Sequence, residues 1–440
     1  MDKKTIIDNI NNRLGIGEIN EMQQAMLTSD ACSLILTAPT GSGKTLAFAC
    51  RMLKSLTPGN RKVKAIVIAP SRELVMQIES VIRPIATGFK TVAFYGGHSM
   101  NDERNSLTPL PDIIIATPGR LLDHMQRGQL VIDGLQMLVL DEYDKSLQLG
   151  FEGEMKRIIK KLGHISELIL TSATTLDPIP DYLPFDNPVR VDVSMKEDPR
   201  SRTQTVEIKS YSKDKLDTLV DLLHTFSAGE RTIVFVNHRE SAERVYQRLR
   251  RDGIPAALYH GALDQQQRAM AIDLLTNGTA PVLVATDLAA RGLDIAGVNN
   301  VVHYHLPVDI QAWTHRNGRT ARMDATGTVW VIISEADTLP EYIRFDRQYT
   351  PAPRKSSDPT VRGVSSIYIA AGKKEKISKG DVAGFISASG VTKPDEIGKI
   401  AVHDHHSVVA VPSAKASATV KALSPIKLKG KKVKVSLVSL

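Results

Sequence analysis

Short, almost wholly apolar runs separated by longer amphipathic stretches occur in two successive series along this 440-residue chain. In the first series Ser33–Thr37, Ala65–Ile68, Ile113–Ala116, Leu138–Leu140 and Leu168–Leu170 read as strands. Helical patterns at Leu46–Leu56, Glu73–Ile85 and Pro118–Gln126 lie between them. A strand that is apolar at nearly every position has both faces buried, and strands alternating with helices build a parallel sheet covered on both sides. The pattern pauses at Asp177–Arg202, rich in Pro and Asp, and then restarts. Thr232–Val236, Ala256–Tyr259, Val282–Ala285 and Val301–His305 read as strands, and Asp214–Thr225, Ser241–Arg251 and Asp264–Asn277 as helices. The expected organisation is two α/β domains in tandem, 1–195 and 203–350, hinged at Glu197–Ser201. Pro351–Arg362, with prolines among small polar residues, reads as a linker, and 363–440 is too short for a third domain of that size.

Charge singles out the last segment. Residues 351–440 hold 16 Lys and Arg against 6 Asp and Glu, which leaves 40 against 42 in the rest of the chain. A local excess of this kind is the electrostatic footprint of a polyanion-binding module, or else a solvated basic surface that aids solubility. No apolar run approaches a membrane span and the first residues do not resemble a secretory signal, so no membrane association is expected. Cys32 and Cys50 offer neither metal spacing nor a disulfide framework, which points to a reducing cytoplasm.

Three segments carry chemistry. Ala38–Thr45 reads A-P-T-G-S-G-K-T between an expected strand and an expected helix, the context of a phosphate loop. Gly41 and Gly43 allow a tight backbone that aims N–H groups at phosphate oxygens; Lys44 can reach the β- and γ-phosphates and Thr45 can hold Mg²⁺. Asp141–Asp144, D-E-Y-D, follows an apolar strand. There Asp141 would bind Mg²⁺ and Glu142 would activate water. His315–Arg322 reads H-R-N-G-R-T-A-R; on a helix, Arg316, Arg319 and Arg322 would line one face and answer charge developing on a γ-phosphate. Each motif has a plainer alternative: a Gly-rich turn, a solvated acidic loop, a basic surface helix. Together they imply an ATP site drawing on both domains.

In order and spacing these motifs resemble the DEAD-box family of RNA helicases over about residues 15–350. The same resemblance rests on Pro70–Leu74 (P-S-R-E-L), Gly96–Gly97, Thr117–Arg120 (T-P-G-R), Ser172–Thr174 (S-A-T) and Ile233–Asn237 (I-V-F-V-N). It extends to His260–Gly261, to Gln265 with Arg268, and to Ala285–Asp294 (A-T-D-L-A-A-R-G-L-D). It implies two RecA-like domains and RNA-dependent hydrolysis of ATP, with ATP and Mg²⁺ as cofactors. By position, Gln23 matches the adenine-reading glutamine, and Ala38, Thr40, Gly41, Ser42, Gly43, Lys44 and Thr45 the phosphate loop. Asp294 matches a ribose contact, and Arg319 and Arg322 the γ-phosphate sensor and arginine finger. Asp144, Ser172, Thr174 and His315 match residues that couple hydrolysis to strand opening. Pro70, Arg72, Gly97, Thr117, Gly119, Arg120, His260, Gly261, Thr286 and Arg291 match contacts to the RNA backbone, which suit an enzyme tolerant of sequence. Four positions depart from the family pattern. Tyr143 stands for alanine, Asn317 for isoleucine, Ala321 for glycine, and Ile6 falls where an aromatic normally stacks on adenine.

Residues 363–440 resemble the RRM-like module that ends DbpA-type helicases, on G-K-K-E-K-I-S-K-G-D-V-A-G from Gly372 and I-G-K-I-A-V-H-D-H-H-S-V-V-A-V from Ile397. That resemblance implies a small α+β domain, large-subunit ribosomal RNA and preribosomal particles as partners, and a monomer. Tyr368 and Phe385 are the segment's aromatics, whereas lysines such as Lys373, Lys374 and Lys376 abound, which favours reading RNA shape and phosphates over stacking bases on a sheet. His403, His405 and His406 fit no common zinc spacing and are expected to hydrogen-bond RNA or shape a turn. Two alternatives stay open at this level: a DNA-directed ATPase of the same superfamily, and an RNA chaperone without hydrolysis.

Overall fold

The structure, a computed structural model, describes residues 1–39, 41–59, 62–97, 100–175, 178–193, 203–287, 295, 297–320, 326–353 and 363–438. The first sheet contains β1 (Ser33–Thr37), β2 (Ala65–Ile68), β3 (Thr91–Phe94), β4 (Ile113–Ala116), β5 (Met137–Leu140), β6 (Glu167–Ser172) and β7 (Val189–Asp192). Its order is β3-β4-β2-β5-β6-β1-β7, and the pairings are parallel. Alternate residues of each central strand enter two separate cores. Leu34 and Leu36 of β1, with Ala65 and Val67 of β2, join Ile6, Met26 and Phe48 on one face. Ile35, Ile66 and Ile68 join Leu121, Met155 and Ile158 on the other. Burial on both faces is why these strands carry no polar alternation.

The second sheet repeats the plan with β8 (Thr203–Lys209), β9 (Thr232–Val236), β10 (Ala256–Tyr259), β11 (Val282–Thr286), β12 (Asn300–His303), β13 (Gly327–Ile333) and β14 (Arg347–Gln348). Its order is β10-β11-β9-β12-β13-β8-β14, again parallel. The third sheet is small and antiparallel: β15 (Val364–Ile369), β16 (Ile400–Val402), β17 (Ser407–Pro412) and β18 (Val435–Leu437) in the order β16-β17-β15-β18. Helices Lys379–Ser387 and Ser413–Leu423 cover one of its faces, where Ile367, Ile369, Val409 and Val411 meet Phe385, Ile386 and Leu423.

The opposite face of this small sheet packs on the second RecA-like domain. The Ser366 hydroxyl lies 2.8 Å from both Asn277 Nδ2 and Thr279 Oγ1, and Gln266 Nε2 donates to the Tyr368 hydroxyl at 3.4 Å. Val408 and Ala410, across the sheet from Tyr368 and Ser366, are buried on this face, outside the module's own core. Helix Gln265–Thr276 thus covers the surface on which ordinary RRM sheets stack bases. The expectation for the histidines changes accordingly. His403 Nε2 lies 2.6 Å from Asp273 Oδ2 of that helix, His406 stacks between His403 and Tyr368, and His405 Nδ1 lies 3.1 Å from Glu375.

Candidate functional site

In the first domain the motifs sit just past the C-terminal ends of the strands, where open parallel sheets place their ligands. Sheet order sorts them. The phosphate loop, the acidic motif and S-A-T follow β1, β5 and β6, which are close in the sheet, while P-S-R-E-L, Gly96–Gly97 and T-P-G-R follow the adjacent β2, β3 and β4. The residues expected to hold the nucleotide and those expected to meet RNA therefore lie side by side on one edge.

The phosphate loop turns through Gly41 (φ 85) and Gly43 (φ 90) into helix Lys44–Ser55. Gln23 braces it: Nε2 donates to Gly43 O at 3.3 Å, Oε1 accepts from Asn20 N at 2.9 Å, and Asn20 Nδ2 donates to Ser42 O at 3.1 Å. A Cβ at Gly43 would meet Gln23 Nε2 at 2.4 Å. Lys44 is buried and donates to Ala38 O at 2.5 Å and Pro39 O at 3.0 Å. Burial pulls its ammonium below the ordinary lysine range, opposed by the charges of Glu142 and Asp141. Thr45 is half-buried in the first turn. Ile6 lies wholly within the apolar core and presents nothing for stacking on a base.

Asp141 and Glu142 are both buried at the end of β5. Burial, reinforced by the Glu142 charge, pushes the Asp141 carboxyl up to about 6. The Thr171 hydroxyl donates to Asp141 Oδ1 and accepts from the Glu142 backbone N–H at 3.2 Å, which ties the acidic motif to β6. Further along both segments, Thr174 Oγ1 donates to Asp144 Oδ2 at 3.2 Å, while the Ser172 hydroxyl donates to Thr174 O at 2.6 Å. Ala38 N donates to Ser172 O at 3.2 Å, so the phosphate loop, the acidic motif and S-A-T form one hydrogen-bonded group. Tyr143 does not crowd it: the ring is fully buried among Met155, Ile158 and Leu183, and its hydroxyl bonds that of Tyr182.

Among the residues expected to meet RNA, Pro70 follows β2 and leads to Arg72, whose Nη1 donates to Gly96 O at 3.1 Å and whose guanidinium lies 4.7 Å above the Tyr95 ring. Gly97 (φ 94) lets it pass, since a Cβ there would lie 2.4 Å from Arg72 Nη1. Thr117 caps helix Pro118–Gln126, which carries Gly119 and Arg120 in its first turn. Glu103, which the sequence did not single out, receives Arg120 Nε and lies against His124 Nε2, both at 2.7 Å.

The second domain places His260 and Gly261 after β10 and Thr286 at the end of β11, neighbours in the sheet. Gly261 O accepts from Arg268 Nη2 at 2.8 Å. The arginine motif differs from expectation. Helix Ile310–Asn317 ends at Gly318, so Arg316 and Arg319 do not share a helical face. Arg316 is instead a buried brace, bidentate to Asp287 at 2.5 and 2.6 Å, donating also to Asn237 Oδ1 and His305 O at 2.7 Å each. Asn317 Oδ1 lies 2.8 Å from His303 Nε2, a polar partner that an isoleucine would lack. Arg319 is buried with Nε donating to His315 O at 3.2 Å, and His315 is buried beside it. Thr40, Arg291, Asp294, Ala321 and Arg322 lie outside the described residues. Asp287 and Asn237 sat in the recognised A-T-D and I-V-F-V-N runs, which was the available signal for the brace.

In the small module Lys373, Lys374 and Lys376 are exposed. Lys429 donates to Lys376 O and pairs with Asp381, both at 2.8 Å, which brings the exposed Lys427–Lys432 loop beside them.

Three family models match the chain. The DEAD/DEAH box helicase model matches residues 20–180, the helicase conserved C-terminal domain 214–324, and the DbpA RNA binding domain 366–437. The chain is 33% identical to the ATP-dependent RNA helicase DbpA of Escherichia coli (strain K12), covering 97% of this chain and 96% of that protein. It is 28% identical to DbpA of Bacillus subtilis (strain 168), covering 96% and 95%. Among solved structures, S. cerevisiae Dbp5 bound to RNA and ADP BeF3 superposes with a TM-score of 0.68 at 26% identity, covering 75% of this chain and 87% of that one. By near full-length similarity and by the motifs set around its two parallel sheets, the chain belongs to the DbpA type of DEAD-box ATP-dependent RNA helicases, enzymes that couple ATP hydrolysis to RNA.

Proposed function

We propose that this helicase opens short duplexes or rearranges RNA–protein contacts in large-subunit ribosomal RNA, within preribosomal particles, acting as a cytoplasmic monomer. The observation that carries the choice of target is in the C-terminal module. Its sheet face is occupied by helix Gln265–Thr276, while two lysine-rich loops stand exposed side by side. Such a surface suits phosphates of a folded RNA better than unstacked bases.

For hydrolysis, Lys44 turns from the carbonyls of Ala38 and Pro39 to the β- and γ-phosphates. Thr45 and Asp141 would hold Mg²⁺, which offsets phosphate charge when bound. The buried Asp141 carboxylate fits that part, because a nearby cation counters both causes of its raised pKa. Glu142 accepts the proton of the attacking water, and Arg319 and Arg322 answer charge on the γ-phosphate. The Thr174–Asp144 bond gives the S-A-T segment a direct link to the acidic motif. Pro70, Arg72, Gly97, Thr117, Gly119, Arg120, His260, Gly261, Thr286 and Arg291 hold the RNA backbone.

The test compares full-length wild type with K373A/K374A/K427A/K432A. ATPase activation by ribosomal RNA fragments should weaken toward that by unrelated RNA, and each lost phosphate contact should reduce the log–log salt slope of binding by roughly 0.7 to 0.9. An unchanged preference and slope would remove the module as the targeting element and leave the helicase assignment standing.

A further inference from the structure

Lys145 occupies an unfavourable position for a cation. It lies in the first turn of helix Tyr143–Gln148 and is 1% exposed. The positive end of a helix and burial both disfavour an ammonium there. The compensation is specific: Lys145 Nζ lies 2.6 Å from Glu142 Oε2, with the two side chains 1% and 7% exposed. Glu142 itself stands at φ 46, ψ 51, a left-handed conformation uncommon for a residue with a side chain. Its backbone is held as well, since Glu142 O accepts from Lys145 N at 3.0 Å and from Ser146 N at 3.1 Å. The backbone N–H of Lys145 also donates to Asp144 Oδ1 at 3.0 Å, so one residue touches two of the motif's three acids. Lys44, the other buried cation of the cluster, faces the phosphate loop carbonyls.

We propose that Lys145 is a positioning residue for hydrolysis: its ammonium fixes the Glu142 carboxylate in the orientation that receives the proton of the attacking water. This rests on Glu142 being the water-activating group. In that step the water oxygen bonds to the γ-phosphorus and its proton passes to the Glu142 carboxylate. The bond from the γ-phosphorus to the bridging oxygen breaks, and its electron pair leaves with ADP. Lys145 donates no proton; it keeps a mobile carboxylate from leaving the line of attack. A misplaced catalytic group costs rate without costing substrate affinity, which separates this role from nucleotide binding.

The experiment measures RNA-stimulated ATP turnover across an ATP series for wild type, K145M, K145R, E142Q and E142Q/K145M, with thermal melting of each. K145M should lower kcat about 10- to 100-fold with KM for ATP within about threefold of wild type. K145R, which keeps the charge, should retain more turnover than K145M. In the E142Q background the loss of Lys145 should change kcat less than about twofold, because the two residues act as one unit. E142Q/K145M should melt above K145M, since the neutral amide carries no buried charge that has lost its ion-pair ammonium. If K145M does not fold, K145Q replaces it with the same expected loss confined to kcat. Wild-type kcat in K145M or K145Q, or a loss that multiplies fully on E142Q, overturns the proposal. E142Q turning over as wild type would instead defeat the role of Glu142.

Discussion

Replacing Arg316 with Met tests whether this arginine braces the second domain, as the structure places it, or serves the nucleotide. The side chain is 1% exposed and donates to Asp287 through two nitrogens, to Asn237 and to His305 O. Methionine fills similar volume but leaves the Asp287 carboxylate, 19% exposed, without its counter-charge. Breaking such a pair from one side costs ~3–5 kcal/mol, well above the ~0–1 kcal/mol of an exposed pair. At about 2–4 °C per kcal/mol for a domain of this size, melting of the second domain should fall by about 6–20 °C. The chain's two tryptophans, Trp313 and Trp330, both lie in that domain, so tryptophan fluorescence follows its unfolding selectively. R316M/D287L, which removes both charges, should recover part of the loss. A fluorescence transition displaced by less than about 1 kcal/mol in R316M, the range of a surface ion pair, would refute the brace.

Further outcomes follow from the same geometry. Lys44→Ala should abolish RNA-stimulated ATP turnover while RNA binding through the C-terminal module persists, read by phosphate release and by filter binding. Gly43→Ala should cost about 1–2 kcal/mol of local strain at φ 90 and displace Gln23, whose Nε2 would lie 2.4 Å from the new Cβ; KM for ATP should rise. Val408→Lys places a cation on the buried docking face of the small sheet. Amide exchange in helix Gln265–Thr276 should accelerate, whereas the module's core, built on the other face, should stay protected.

The chain's architecture was legible wherever strands are buried on both faces. Val282–Thr286 and Thr232–Val236 are buried throughout and apolar but for one terminal threonine each, as strands covered by helices on both sides are. Of the strands that escaped the sequence reading, Gly327–Ile333 carries that apolar signal, whereas others carry it weakly. Thr91–Phe94 and Val189–Asp192 are the two edges of the first sheet, and the latter is mostly exposed. Thr203–Lys209 alternates polar and apolar residues instead of running apolar. Local spacing was also enough to mark the phosphate loop and the acidic motif, since a strand, a glycine turn and a helix are contiguous in the chain. It was not enough for Arg316, because a period of three suggests a shared helical face, whereas the helix stops at Gly318 and Asp287 comes from the segment just past β11. Which side of the small sheet faces outward, and what His403 meets, depended on residues 89 and 130 positions away; the Asn277 amide and the Asp273 carboxylate that settle them are brought there by tertiary packing alone.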